Sequence, residues 1–324
     1  MKANRKDITI KTPIISVVMA VFNAEHYLKE AIESMIQQSL TNIEIIIIDD
    51  GSTDKSLSII KNFSEIDPRI KYITRENRGL IYSLNEGINL SAGKYIARMD
   101  ADDIALNDRL EVQYKFIVQN KLDICGGDYM TIDSKGSILK KYRVPKNKYD
   151  ILLTMLSNVP FPGASALIRS KFLTNNNLKY GLDGHKNAED LDLWLKMYDA
   201  GAKFGNVDHI ILKYRVHSMS LSKTNHKAIK IEVNDQFDTF TKKHIESIES
   251  AFKKFCKNSY NSNNTEKITA KALIRYLSIK FDLDILLKCF IKMYKVNFLY
   301  GVTSFIKSKI FSLLVCLYPS MGRR

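Results

Sequence analysis

Residues 43–52 read IEIIIIDDGS, a β-branched run that stops at two aspartates and a glycine. A short run of this kind, bounded by turn residues, is typical of a buried strand. Residues 14–22 form a second apolar run, expected to be a strand rather than a signal peptide, and residues 24–38 between the two carry apolar side chains at helical spacing. Because parallel strands need a crossover connection, this strand–helix–strand order predicts a parallel pair.

The same alternation continues along the chain on the carboxyl side of this unit. We expect helices over 54–65, 80–91 and 108–119, and strands over 70–74, 94–99 and 123–127. The pattern predicts an α/β fold with a mostly parallel sheet flanked by helices.

Later segments complete this domain. A turn at residues 133–136 predicts a hairpin, residues 189–200 predict a helix capped by Gly201, and residues 210–216 predict a strand. From about residue 225 onward the spacing is helical, so we expect an α/β domain at 1–225 and a helical C-terminal region at 226–324.

The composition is that of a globular protein with an excess of positive charge. The 324 residues are 45% hydrophobic and 26% charged, which excludes wholesale disorder, a collagen-like chain and a polytopic membrane protein. The net charge of +14 suggests an anionic partner such as nucleic acid or a membrane surface. Residues 251–324 hold 14 basic and 3 acidic residues, so the excess belongs to the C-terminal quarter.

The four cysteines are widely scattered, at positions 125, 256, 289 and 316. Their spacing indicates neither a zinc site nor a disulfide framework. We therefore expect reduced thiols in a cytoplasmic protein.

Acidic residues cluster where the predicted parallel strands end. They are Asp49-Asp50, then Asp100, Asp102 and Asp103, and a third group, Glu189-Asp190, opens a helix. Ligands of open parallel sheets bind outside the carboxyl ends of the strands. Crowded carboxylates need a compensating cation, so the pattern suggests a divalent metal and a polyphosphate.

Four motifs in a fixed order resemble those of glycosyltransferase family 2. They are VVMAVFN at 17–23, DDGSTD at 49–54, NRG at 77–79, and GKYIA at 93–97 leading into DADD at 100–103. The resemblance extends over residues 13–217. It implies a GT-A (Rossmann-like) fold, a UDP-sugar donor and inversion at the anomeric carbon. Residues 100–103, 188–190 and 214–217 are similar to those of enzymes that build bacterial surface polysaccharides such as capsule, exopolysaccharide or O-antigen.

The resemblance also implies a role for particular residues of this chain. Asp190 is expected to be the general base, with Glu189 as a rival base or a sugar contact. Asp102 and His217 are expected to hold Mn²⁺ or Mg²⁺ at the diphosphate. The expected donor-binding residues are Ala20, Phe22, Asn23, Asp50, Asp100 and Arg215. The expected acceptor-binding residues are Gly163, Ala164 and Trp194; a core position is the alternative for Trp194.

The basic C-terminal region carries apolar residues among its lysines. The uncharged run at 310–322 is too short for a transmembrane helix, which needs roughly 20 residues. A basic amphipathic segment favours an interfacial helix. We expect a peripheral protein at the inner face of the plasma membrane with a lipid-linked or oligosaccharide acceptor, and the alternative is a helical appendage with solvated lysines.

Two other classes of function compete with a sugar transferase. A haloacid-dehalogenase-type phosphatase also places acids after a strand, but Ile104 stands where that chemistry needs Thr or Val. A non-enzymatic membrane-binding or nucleic-acid-binding protein would explain the charge. Since the basic excess lies in an Ile-, Leu- and Phe-rich tail without a nucleic-acid-binding signature, we expect no nucleic-acid partner.

Overall fold

The computed structural model describes residues 12–181, 188–217, 226–257 and 263–294. Nine strands of these residues form a single sheet. The strands are β1 (Ile15–Val21), β2 (Ile43–Asp49), β3 (Ile70–Thr74), β4 (Tyr95–Asp100), β5 (Ile104–Ala105), β6 (Ile124–Ile132), β7 (Ile138–Tyr142), β8 (Leu167–Arg169) and β9 (Phe204–Arg215).

Eleven helices accompany the sheet in the described part of the chain. They are α1 (Leu28–Ile36), α2 (Ser56–Ile66), α3 (Leu80–Leu90), α4 (Arg109–Gln119), α5 (Lys148–Thr154), α6 (Ser170–Asn175), α7 (Glu189–Asp199), α8 (His226–Lys243), α9 (Ile245–Lys257), α10 (Asn263–Ile279) and α11 (Leu283–Tyr294).

The sheet has the order β3-β2-β1-β4-β8-β6-β9-β5, with β7 paired to β6. Its long pairings, β1 with β2 and β4, β2 with β3, and β6 with β9, are parallel. The pairings of β5, β7 and β8 are short and antiparallel. The predicted α/β class with a mostly parallel sheet is confirmed.

The predicted elements lie close to the observed ones. Helices expected over 54–65, 80–91 and 108–119 are α2, α3 and α4, each within two residues at either end. The hairpin expected around residues 133–136 is the antiparallel pair of β6 and β7. The strand expected over 210–216 begins six residues earlier, at Phe204, because residues 204–207 pair with β6 before a register shift.

The register of the central strands places their carboxyl ends side by side. Val21 pairs with Asp49, and Ala20 pairs with Asp100. Every residue of β2 is buried, which explains why its sequence is a continuous isoleucine-rich run instead of an alternating one. The first two acidic groups of the sequence therefore lie at the ends of β2 and β4, the strands on either side of β1, at one edge of the sheet.

Among the described residues, the chain divides into two compact units. One lies within Met1–Ile151 and Val159–Gln236, and the other within Leu152–Asn158 and Phe237–Arg324. The boundary predicted near residue 225 falls in residues 218–225, outside the described residues. The sheet, together with α1 to α4, α6 and α7, belongs to the first unit.

The second unit contains α9, α10 and α11, packed through apolar side chains such as Phe252 and Tyr276, whose ring centroids are 5.3 Å apart. The Sγ atoms of Cys256 and Cys289 lie 3.4 Å apart between α9 and α11, both as thiols. No described helix is long and apolar enough to cross a membrane. The uncharged run at 310–322 lies outside the described residues.

Candidate active site at the carboxyl edge of the sheet

The loop after β2 fixes the Asp50 carboxylate against the segment that follows β3. Asp50 is buried and accepts hydrogen bonds from the backbone N–H groups of Arg78, at 2.8 Å, and Gly79, at 2.9 Å. It also pairs with the guanidinium of Arg75. Gly51 makes this approach possible, because it has a φ of +77° and a Cβ there would lie 2.8 Å from a neighbouring backbone nitrogen.

Residues 20–23, at the end of β1, lie against the loop that follows β2. Ala20 is partly exposed near the end of β1, and the Phe22 side chain is 52% exposed. Asn23 takes the left-handed conformation, and its Oδ1 accepts the Thr53 N–H at 2.8 Å. The chain thus presents an aromatic ring and an aspartate-anchored turn beside each other, with the flat and polar surfaces that a nucleoside requires.

Arg98 links the acidic groups of β4 and α7. Its Nε donates to Asp100 Oδ1 at 2.9 Å, and its Nη1 donates to Glu189 Oε1 at 2.8 Å. The Arg98 side chain is 7% exposed. Burial opposes its charge, but the carboxylates of Asp100 and Glu189 outweigh burial and raise the pKa of the guanidinium.

Asp190 lies beside this ion pair at the start of α7. Burial and the neighbouring Glu189 raise the pKa of Asp190 to about 6, against the opposing effect of Arg98. A carboxylate with such a pKa is ionised at neutral pH and can still accept a proton, as a general base must. The Asp190 carboxyl group is therefore chemically suitable as a base, and it lies close enough to Asp100 for that carboxylate to raise its pKa further.

Gly163 lies between these groups in a 3-10 turn, residues 163–165. A Cβ at this position would lie 2.8 Å from Arg98 Nη1 and 3.2 Å from Asp190 Cβ. Gly163 and Ala164 are both buried. The turn thus forms a wall against which Arg98 and Asp190 pack.

Asp102 and His217 meet at the same edge of the sheet. The His217 Nε2 lies 2.9 Å from Asp102 Oδ2. Burial and the nearby Asp100 raise the pKa of Asp102, while the hydrogen bond to His217 lowers it. These two side chains, 115 residues apart in sequence, offer an oxygen and a nitrogen ligand at one point.

The buried Arg215 joins the end of β9 to residues 102–103, which follow β4. Its Nε donates to the Asp102 carbonyl oxygen at 2.8 Å, and its N–H donates to Asp103 Oδ1 at 2.8 Å. Its remaining nitrogens donate to Glu30 and to the carbonyl oxygens of Asp133 and Ser134. The donor-binding role expected of Arg215 stays a prediction; what the geometry provides is a clasp that positions Asp102.

Asp103 is a buried carboxyl at the centre of this clasp. Its second oxygen, Oδ2, has no hydrogen-bond partner within the described ranges. Burial, together with Asp102 and Asp100, raises the pKa of Asp103 well above its usual range.

Trp194 lies in the core of this unit with no exposed surface. Its ring packs against Phe161, at 5.4 Å between centroids, and Tyr180, at 6.5 Å. Trp194 therefore has the core position that the sequence analysis gave as the alternative to an acceptor contact. An acceptor contact at Trp194 would need an exposed ring, which this arrangement does not provide.

The structure brings most of the candidate residues to one edge of the sheet. Asp50, Asp100, Asp102, Glu189, Asp190 and His217 lie at strand ends or the α7 start on that edge. Sequence reasoning missed Arg98 and Arg75, which pair with these carboxylates. The available signal was a charged side chain inside the apolar β4 run, where burial requires a partner.

Comparison with known proteins identifies the family. The model of the family described as glycosyl transferase family 2 matches residues 16–175. A Haemophilus influenzae protein named an uncharacterized glycosyltransferase is 35% identical over 226 residues, 66% of this chain and 69% of the relative. The Escherichia coli O-antigen biosynthesis glycosyltransferase WbnJ is 33% identical over 216 residues, 65% of this chain and 83% of WbnJ.

Solved structures agree on the fold. The UDP complex of S. aureus TarS 1-349 has a TM-score of 0.55 at 19% identity, covering 83% of this chain and 76% of TarS 1-349. The mannosyltransferase PcManGT from Pyrobaculum calidifontis, in complex with GDP-Man and Mn²⁺, has a TM-score of 0.54 at 15% identity, covering 96% of this chain and 89% of PcManGT.

The fold is that of the GT-A glycosyltransferases. The chain belongs to glycosyltransferase family 2. This membership decides against the haloacid-dehalogenase-type phosphatase and the non-enzymatic binding protein as alternatives.

The Arg98 ion pairs predict a stability effect. Replacing Arg98 by Met removes the partner of two carboxylates, and we expect the free energy of unfolding to fall by about 3 kcal/mol. Urea denaturation followed by circular dichroism measures this loss. The control, Arg143→Met at an exposed arginine, should change stability by less than about 0.5 kcal/mol. Equal stabilities of the two variants would contradict the assignment.

Proposed function

We propose that this enzyme is an inverting, metal-dependent glycosyltransferase that moves a hexose or N-acetylhexosamine from a UDP-sugar to a lipid-linked or growing glycan. Its setting would be the synthesis of a bacterial surface polysaccharide. The observation that carries the proposal is the position of Asp190, a carboxylate with a raised pKa beside the donor-side Asp100 and the wall at Gly163. The O-antigen role in the name of WbnJ and the UDP and UDP-GlcNAc complexes of TarS support the substrate class.

In this proposal the loop of Asp50 holds the nucleoside. Asp50 is oriented by Arg75 and by the N–H groups of Arg78 and Gly79, so the remaining lone pair on its Oδ2 can accept the uracil imide N–H. Phe22 and Ala20 border the base, and Asn23 holds the turn. Asp100 lies near the ribose, oriented by Arg98.

Asp102 and His217 fit a divalent cation that is also bound by the substrate. Among the described residues, no group of three or more His, Cys, Asp or Glu side chains is arranged to hold a metal ion. Mg²⁺ sites commonly use one or two protein carboxylates and complete their shell with phosphate oxygens and water. Asp102 and His217 would supply the protein ligands, and bound Mn²⁺ or Mg²⁺ would act as a Lewis acid toward the leaving diphosphate.

Asp190 would remove the proton from the acceptor hydroxyl while the oxygen of that hydroxyl attacks C1 of the donor sugar. The attack would come from the face of the sugar opposite UDP. The bond from C1 to the diphosphate breaks, and the configuration at C1 inverts. Glu189 has a different task, because Arg98 holds its Oε1 at 2.8 Å. We assign Glu189 to orienting Arg98 and the sugar. The wall at Gly163 and Ala164 would border the acceptor.

We further propose that the enzyme works as a peripheral protein on the cytoplasmic face of the membrane, with the basic region 226–324 contributing to attachment. The 14 basic residues of 251–324 against 3 acidic ones favour an anionic leaflet.

The overall proposal is tested by measuring UDP release from a panel of UDP- and GDP-sugars with Mn²⁺ or Mg²⁺ and a membrane extract as acceptor. Release from a UDP-hexose or UDP-N-acetylhexosamine that requires both metal and extract would support it. Release from GDP-sugars alone would overturn the choice of donor.

Asp190→Asn should lower kcat at least about hundredfold while leaving UDP-sugar affinity within about twofold, because the amide cannot accept a proton. Single-turnover transfer and calorimetric titration of the donor measure the two effects. Asp199→Asn, at the exposed end of the same helix, is the matched control. Near-normal transfer by Asp190→Asn would make the assignment of the base wrong.

The pH dependence follows from the raised pKa of Asp190. A base must be ionised, so kcat/KM should be level above about pH 7 and fall about tenfold per unit below pH 6. A pH–rate profile under donor-limited and acceptor-limited conditions measures this acid limb. A profile that stays level down to pH 5 would contradict the prediction.

Asp102→Ala should abolish transfer and remove the effect of Mn²⁺ on UDP affinity, since one of the two protein ligands is lost. Titration of UDP with and without Mn²⁺ measures the second effect independently of turnover. Asp208→Ala removes a carboxylate that is 75% exposed and serves as the control. Unchanged metal-dependent UDP binding would refute the metal role of Asp102.

A further inference from the structure

The hairpin arm, residues 132–143, carries an exposed apolar pair among basic side chains. Ile138 and Leu139 are each 57% exposed. Lys135, Lys140 and Lys141 are exposed around them. Single exposed apolar residues are ordinary, but Ile138 and Leu139 adjoin the turn at the tip of the arm, among exposed lysines. The β6–β7 register places Ile138 and Lys141 on one face of the hairpin and Lys140, whose Nζ lies 4.8 Å from the centre of the Tyr142 ring, on the other. Apolar and basic side chains therefore surround the tip of the arm instead of lying on a single face.

The turn of the hairpin arm is held by hydrogen bonds. Asp133 Oδ1 accepts the N–H groups of Lys135 and Ser137, at 2.8 and 2.9 Å, and Gly136 has a φ of +87°. On the strand side, the Tyr129 and Tyr142 rings are stacked at 4.9 Å. The only carboxylate of the arm is therefore engaged in its turn, and the basic side chains are left to define its outer charge.

The base of the arm is hydrogen-bonded to Arg215 and Val216, the two residues that precede the proposed metal ligand His217. The Val216 N–H donates to the Ile132 carbonyl oxygen at 2.9 Å, and Arg215 Nη1 donates to the carbonyl oxygens of Asp133 and Ser134 at 3.3 and 3.4 Å. Since β6 and β9 are parallel, the arm leaves the sheet at the carboxyl edge, where Asp102 and His217 meet.

We propose that the hairpin arm is a membrane-docking element that binds the surface of an anionic bilayer. Charge complementarity selects this partner: Lys135, Lys140, Lys141 and Arg143 would lie at the headgroups of an anionic leaflet, and Ile138 and Leu139 would enter the boundary with the acyl chains. Lysines on an edge strand also block strand-to-strand association, but that task gives no reason for exposed Ile138 and Leu139.

The inference rests on the proposed function in one respect: a lipid-linked acceptor gives the docking its purpose. The arm would orient the carboxyl edge of the sheet toward the leaflet that carries the acceptor, so a sugar hydroxyl near the headgroups could reach Asp190. This contact is separate from the basic region 226–324 and belongs to the catalytic unit itself.

The test is binding of the full chain to vesicles of phosphatidylcholine and phosphatidylglycerol in a 3:1 ratio, measured by co-sedimentation without donor or acceptor. Each lysine near an anionic leaflet contributes about fivefold to partitioning, so Lys140→Glu with Lys141→Glu should lower the partition coefficient at least tenfold. Ile138→Ser with Leu139→Ser should lower it about fivefold or more, because two apolar side chains lose their burial.

The matched control is Lys61→Glu with Lys171→Glu, which changes the net charge by the same amount at two other exposed lysines. It should lower binding less than threefold. Equal losses in the control and the arm variants would overturn the proposal and leave a non-specific effect of total charge. Unchanged vesicle binding of the arm variants would also overturn it, and would point to a protein or glycan partner for the arm.

Activity separates this inference from the proposed function. UDP release with a detergent-solubilised acceptor should stay within twofold of the unmodified enzyme in both arm variants, while release with acceptor in vesicles falls. Loss of transfer in detergent would show damage to the site and overturn docking as the explanation. If the unmodified enzyme transfers sugar in detergent but does not bind the vesicles, the docking element alone is refuted.

Discussion

The buried guanidinium of Arg98 satisfies two carboxylates that come from distant parts of the chain. Asp100 ends a central strand, and Glu189 opens α7, 91 residues beyond Arg98. Removing one charge from such a buried group leaves the others without compensation, which is far costlier than losing a surface pair. The ion pairs therefore fix the start of α7 against β4, and through α7 they fix the position of Asp190.

A second buried arginine, Arg215, positions the proposed metal ligands Asp102 and His217 as Arg98 positions Asp190, the proposed base. Arg215 joins the Asp102 carbonyl oxygen to the end of β9, and two residues later His217 reaches Asp102. Both arginines bind backbone or carboxylate oxygens inside the protein, so in the proposed mechanism their contribution is to preorganise the groups that would face the substrate. Preorganised carboxylates do not have to reorient when charge develops during the reaction.

Sequence patterns were sufficient to predict the parts of the fold in which strands and helices alternate. The strand–helix alternation predicted the parallel sheet, and the parallel register then requires Asp49 and Asp100 to lie at one edge. The two-residue strand β5 and the three-residue strand β8 are too short to have a periodicity, and their partners are distant. Arg98 was missed for a related reason, because a single sequence gives no indication of which distant carboxylate a buried charge will pair with.

The wall at Gly163 restricts how this enzyme can diverge. Any larger side chain there would collide with the guanidinium of Arg98 and the side chain of Asp190. Replacing the glycine would therefore disturb Asp190, the proposed base, before it altered the shape of the proposed acceptor pocket. A lineage acquiring a new acceptor would have to change side chains at the rim of the pocket and leave this turn as it is, so specificity and chemistry can evolve at separate positions.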